Sequence, residues 1–144
     1  MLTAKLFGGL AGIVAILAFA VRNHGLLGPD ILVHGTYYVM GTLEWQLAVA
    51  LICLIFASIS FAAARWTSRP LNLPLGVSSF ILIALAYAVF LAMSLLIRGD
   101  APLASWEAWI PIGALLSFYL GCLIFGINVI WALLRLAAAR LSAH

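Results

Sequence analysis

Ionisable side chains are scarce in this sequence, so the few that could do chemistry stand out. Besides seven Lys and Arg, it holds three histidines (His24, His34, His144), four acids (Asp30, Glu44, Asp100, Glu107) and two cysteines (Cys53, Cys122). His24, Asp30 and His34 share one short stretch and bring two imidazoles and a carboxylate, the donor types of a metal site. They are the candidate metal ligands, although two histidines in a polar connection also read as ordinary solvated residues. Cysteine and histidine spacings typical of zinc sites are absent, as are a phosphate-cradling glycine loop and a Gly-x-Ser-x-Gly turn. No catalytic residue is therefore assigned. No histidine lies deep in an apolar run, so one chain cannot hold a haem between two helices by paired imidazoles, and no cofactor is expected.

The elements that must position these residues follow from composition. Of 144 residues, 67% are hydrophobic and 8% charged. Soluble domains run at roughly 45–50% apolar and about 25% charged. Mean hydropathy is +1.24, which excludes an ordinary soluble enzyme and also disorder. The basic residues are too few and scattered to form a nucleic-acid-binding stripe. A bilayer core about 30 Å thick needs roughly 20 apolar residues as a helix. Four stretches qualify, at about 4–21, 37–64, 75–97 and 109–134, and they predict a single all-α membrane domain, a four-helix bundle over 1–144. Lys5, the apolar run after it and Ala18-Phe19-Ala20 also resemble a secretory leader, but the first stretch is read here as a span.

Four spans put both termini and the middle connection on one side. That side carries Lys5, Arg65, Arg69, Arg135 and Arg140; the other carries only Arg22 and Arg98. Five against two predicts an N-in, C-in orientation, and in a bacterium the inner membrane. Trp66 and Trp131 fall toward the inner ends, and Tyr37, Tyr38, Trp106 and Trp109 toward the outer ones, as interfacial aromatics do.

Lipid tails are as apolar as leucine, so helix association depends on close approach and hydrogen bonds. Small residues recur every four positions at Ala4, Gly8 and Gly12, at Ala84, Ala88 and Ala92, and at Gly113, Ser117 and Gly121. These faces are expected to pack within the bundle, or else against a partner subunit or a second copy. Cys53 and Cys122 fall mid-span and read as small core residues, not as a disulfide.

One segment carries a more specific pattern. Asp30, His34, Thr36, Tyr37, Tyr38 and Val39 keep the spacing D-x-x-x-H-x-T-Y-Y-V. This resembles the signature of haem-copper oxidase subunit I, which reads roughly D-x-x-x-H-D-T-Y-[FY]-V-V-A-H-F-H. In that family the His-Asp pair holds magnesium at the mouth of a helix, and the two later histidines bind the two haems. Here Gly35 stands at the magnesium carboxylate, Thr42 at the first haem ligand and Glu44 at the second. The resemblance covers fifteen to thirty residues and fails at its ligands, so it implies kinship without redox work.

The leading expectation is thus a non-catalytic membrane protein, an accessory or degenerate oxidase-like component of a larger membrane complex. An alternative is a small dimeric transporter that couples protons through Glu44, the one acid inside an apolar run. A further alternative is a haem- or quinone-binding protein, with Tyr37, Tyr38 and Trp45 along a quinone slot. If the second helix starts near Tyr37, Glu44 lies about 10 Å along it. It is then expected to face the bundle and pair with Arg22, Arg98 or His34.

Overall fold

The computed structural model describes residues 1–23, 30–33, 36–39, 42–66, 71–96 and 109–141, with 21–23, 30–33, 36–39, 42–44, 66 and 94–96 described as backbone only. Its elements, in chain order, are α1 (Leu2–Asn23), β1 (Asp30–Val33), β2 (Thr36–Val39), α2 (Thr42–Trp66), α3 (Leu73–Leu96) and α4 (Trp109–Leu141). All four helices are long and apolar enough to cross a membrane.

Three of the departures from the expected boundaries have a local reason; both ends of α1 and the ends of α2 and α3 also differ, by one or two residues. The run expected to open the second span at Tyr37 is a strand, and α2 begins five residues later at Thr42. Ile31-Leu32-Val33 and Thr36-Tyr37-Tyr38-Val39 are rich in β-branched and aromatic residues, which suit a pleated ladder better than a helix. They pair antiparallel, with Asp30 opposite Val39 and Val33 opposite Thr36. The third helix starts at Leu73, two residues early, because Asn72 caps it: the Leu75 amide donates to Asn72 Oδ1 at 3.5 Å. Pro74 is tolerated in that first turn, where its missing N–H has no intrahelical partner to lose. At the far end, α4 runs on to Leu141, past the expected limit of 134. Nothing in Leu-Arg-Leu-Ala-Ala-Ala-Arg-Leu breaks a helix, and alanine is the best helix former. At 33 residues α4 is about 50 Å long, well beyond one hydrocarbon thickness.

Each helix buries one narrow face. On α1 it is Thr3, Phe7, Leu10, Ala11, Val14 and Ala18; on α4 it is Ala114, Phe118, Gly121, Phe125 and Asn128. Alternating three- and four-residue steps of this kind are the spacing of interlocked, nearly aligned helices. α1 packs chiefly on α2 and α3 on α4, with α1 also touching α3. Phe7 joins the two pairs. Its ring is fully buried and meets Phe56 at 5.3 Å, Phe125 at 5.6 Å and Phe80 at 5.7 Å, all edge-on, while Phe56 and Phe125 stack at 3.9 Å. One ring from every helix thus meets in one layer. Trp45, Phe90 and Phe118 form a second layer, with Trp45 at 5.0 Å from Phe90 and 5.5 Å from Phe118. The first layer precedes the second along α3, and the order reverses along α2 and α4. That order sets α3 antiparallel to α2 and α4.

The buried polar groups tie helix to helix. Asn128, fully buried on α4, accepts from the Asn72 amide at 2.9 Å and donates to the Asn72 carbonyl at 3.0 Å. It supplies the partner of the Asn72 amide at the start of α3 and adds a second bond to a carbonyl that already accepts from the Gly76 amide at 3.0 Å. Two turns further, Ser79 Oγ donates to the Gly121 carbonyl at 2.7 Å. Gly121 allows that approach, since a Cβ there would lie 2.8 Å from Ile83 Cγ1 and 3.1 Å from the Ser79 carbonyl oxygen. Gly76 plays the same part between α3 and α1, where a Cβ would lie 2.8 Å from Thr3 Cγ2. The outward faces are the apolar ones. Ile16 is 70% exposed and Leu116 64%, and only 17–33% of each apolar window is buried.

Gly121 and Gly113 separate the two uses of a helical glycine, since a Cβ on Gly113 meets nothing within 4 Å. Gly121→Ala is expected to cost about 1–3 kcal/mol through overpacking against α3. Gly113→Ala is expected to be neutral or to gain up to about 1 kcal/mol from helix propensity. Unfolding titrations of both variants in mild detergent check the pair, and equal stabilities would contradict the contact.

Candidate functional site

Among the described residues, three of the four buried polar groups without a partner lie in the half of the bundle where α2 begins. Two residues separate β2 from α2, so Trp45 and Gln46 come at the end of the first helical turn. The helical period then turns Gln46, Val49 and Cys53 inward, all three buried. On α3, which arrives from the opposite direction, Ala86, Tyr87 and Phe90 point to the same interior. Trp45 lies against Phe90, and Tyr87 sits one turn below Phe90, which brings an indole, a carboxamide and a phenol to one region.

Trp45 Nε1, Gln46 Oε1 and the Tyr87 hydroxyl are buried with no hydrogen-bond partner, as is Ser60 Oγ on the far half of α2. A buried, unpaired polar group costs about 1–3 kcal/mol. An indole N–H only donates, an amide oxygen only accepts and a phenol does both. Each can pair with a group of the complementary kind. They offer no nucleophile and no group that exchanges a proton readily near neutral pH, so their chemistry is recognition.

The residues singled out from the sequence distribute differently. His24 and His34 lie outside the described residues, so the metal expectation rests on Asp30 alone, whose backbone opens β1 opposite Val39. Among the described residues, no group of three His, Cys, Asp or Glu side chains could hold a metal. Of the oxidase-like motif, Thr36, Tyr37, Tyr38 and Val39 form β2, and Tyr37 pairs with Leu32 and Tyr38 with Ile31. Thr42 and Glu44, at the two haem-ligand positions, fall in the first turn of α2. This moves Glu44. It is the third residue of the helix, about 3 Å from its start instead of 10 Å, because the strand takes the residues that were to form the preceding turns. An acid there suits the positive end of the helix dipole, which offers a reason for its presence that needs no proton transfer. The Glu44 side chain and the expected partners Arg22, Arg98 and His34 lie outside what is described.

The small-residue faces divide. Gly121 is buried at the α3–α4 contact, Ser117 and Ala84 are half-buried, and Gly8 lies beside Ala57, with a Cβ reaching 3.9 Å from its Cβ. Gly12, Ala88, Ala92 and Gly113 are exposed. Cys53 is buried, Cys122 half-buried and both are free thiols. Gln46, Asn72, Tyr87 and Asn128 were not picked out from the sequence, yet a signal existed. Gln46 and Asn128 are the two carboxamides within the apolar runs, and polar side chains at such depth ordinarily have a task. No family model, no curated protein and no solved structure matches this chain.

The three unpaired groups give a clear expectation. Tyr87→Phe and Gln46→Leu each remove a buried polar group that has no partner, and both are expected to leave thermal stability unchanged or to raise it by about 1–3 kcal/mol. Thermal unfolding of the purified variants measures this. Losses above about 1 kcal/mol for both would show that the groups have bonded partners in the native protein.

Proposed function

We propose that this chain is a non-catalytic four-span membrane protein that acts by packing, as an accessory component of a larger membrane complex. Its N and C termini lie on the cytoplasmic side of a bacterial inner membrane. The observation that carries this reading is the way the interior is filled. One aromatic ring from each helix closes one layer and Trp45, Phe90 and Phe118 close the other. Asn128 and Ser79 spend their hydrogen bonds on backbone groups of neighbouring helices. Those groups are committed to holding helices together, and the buried atoms left over among the described residues are Trp45 Nε1, Gln46 Oε1, Ser60 Oγ and the Tyr87 hydroxyl.

Outside, the four helices present Leu, Ile and Phe side chains to their surroundings. Water would penalise that surface at roughly 25 cal/mol per Å² of apolar area, whereas lipid does not. Lys5, Arg65, Arg135 and Arg140 gather toward the end where α1 begins, α2 meets α3 and α4 terminates, which supports placing that end inside. The Asp30–Glu44 resemblance supports a respiratory oxidase assembly as the complex. Glu44 at a helix start, and an interior closed by rings, weigh against proton-coupled transport.

A second reading, binding of a small lipid-soluble carbonyl compound such as a quinone, is favoured by the unpaired donors of Trp45 and Tyr87 and the unpaired Gln46 oxygen. Gentle solubilisation from the native membrane discriminates the two. The accessory reading expects the chain to elute with a larger assembly whose level falls when its gene is deleted, and with no Soret absorption of its own. A monodisperse species of one chain, with every oxidase assembled normally in the deletion strain, would contradict it. Quinone recovered in stoichiometric amount from that isolated species would establish the second reading.

A further inference from the structure

A groove of about 450 Å³ opens between the first turns of α1 and the second half of α2, lined by Met1, Ala4, Lys5, Ala57, Ser58 and Phe61. Its volume falls within the roughly 300–1,000 Å³ of small-molecule sites. Ala4 and Ala57 are small and leave the groove its width, and next to it Gly8 lies beside Ala57, where a Cβ would be in ordinary contact at 3.9 Å. Small residues follow along α1 beyond the groove's lining. Ala4, Gly8 and Gly12 follow one another at four-residue steps on one face, and a Cβ on Gly12 would meet nothing within 4 Å. Eight residues at 1.5 Å extend this apolar track by about 12 Å. Its polar features are at one end only. Lys5 stands exposed at the rim, Arg65 lies one turn beyond Phe61 on α2 and is exposed as well, and the Ser58 hydroxyl, donating to the Leu54 carbonyl at 2.8 Å, keeps lone pairs free. Among the described residues no acid lies at this end of the bundle; Asp30 and Glu44 are at the opposite one.

We propose that this groove is a binding site for one anionic phospholipid, its phosphate held between Lys5 and Arg65 and an acyl chain laid along Ala57, Ala4, Gly8 and Gly12. The inference rests on the membrane reading above. Charge complementarity selects the occupant: two cations at the headgroup level lie beside a track that is apolar throughout. A second copy of this chain packed on the glycines would bring its own Lys5 or Arg65 toward these cations and supply no described acid to answer them. Each cation near an anionic headgroup is worth roughly fivefold in affinity.

The test uses the full chain in nanodiscs of mixed phosphatidylglycerol and phosphatidylcholine, ejected into a native mass spectrometer. Wild type is expected to retain one phosphatidylglycerol in preference to phosphatidylcholine. The double variant Lys5→Gln/Arg65→Gln is expected to lose that preference about twentyfold while remaining folded by circular dichroism. Gly12→Leu, which adds its side chain in open space and so does not disturb packing, is expected to retain no phosphatidylglycerol. Gly113→Leu, an equally open glycine on α4, is expected to behave as wild type. Equal retention of the two lipids by wild type would overturn the site, as would unchanged retention in both groove variants. A lipid-free dimer of wild type that Gly12→Leu converts to monomer would assign the groove to a second copy and also overturn it. Failure of the underlying membrane reading is separately visible, because alkaline carbonate would then release the chain from membranes.

Discussion

Hydrocarbon offers an apolar side chain nearly the same surroundings as another helix does, so apolar burial alone cannot decide how four such helices associate. Shape and hydrogen bonding must decide it, and in this chain both converge on α4. Its Asn128 carboxamide occupies both backbone groups of Asn72. Those groups stand where α3 begins; the carbonyl also accepts from the Gly76 amide at 3.0 Å, so the Asn72 amide is the group that depends on Asn128 for its partner. The bond pair sets the height of α3 against α4. Ser79 on the Gly121 carbonyl then holds the spacing, and the ring layer around Phe7 follows, since Phe80 and Phe125 are carried by the two helices so aligned.

The same commitment of polar groups shapes the functional reading. A transporter needs buried polar groups that change partners between two states, and an enzyme needs groups left free to react. Asn128, Asn72 and Ser79 are engaged with backbone at 2.7–3.0 Å and so serve neither purpose. Trp45, Gln46 and Tyr87 are the exception, and they lie in the half of the bundle where α2 begins. A protein rigid in one half and unsatisfied in the other is suited to presenting that second half to something else, whether a neighbouring subunit or a small lipid-soluble molecule.

Much of the fold was legible in the residues, and the part that was not has a physical cause. Four helices follow from run length and composition alone, because a 20-residue apolar stretch has few other fates. The α2 boundary was missed because hydropathy does not distinguish Thr-Tyr-Tyr-Val as the edge of a span from the same residues as a strand; β-branching and Gly35 between two such runs were the discriminating signals. Gly121 was visible as part of a small-residue face, but Gly113, eight residues away on that face, is exposed. The repeat reports a helical stripe without reporting how far along it a neighbour stays close. At the site, Glu44 drew attention by its charge, while uncharged Gln46 two residues later is the one seen turned inward. Charge is conspicuous in an apolar sequence, whereas the direction of a side chain depends on where its helix starts.

The central claim, a lipid-facing bundle with a closed interior, is tested most directly by spin-label collision measurements along α1 in a bilayer. Labels at Ile13, Ile16 and Phe19, all exposed on the outer face, and at the buried Val14 and Ala18 sample both sides of one helix. The account predicts strong collision with oxygen at the three outward positions, weak collision at the two inward ones, and negligible collision with a water-soluble nickel complex at all five. Nickel collision at Val14 or Ala18 that exceeds that at Ile13 would reveal a water-filled interior and contradict it.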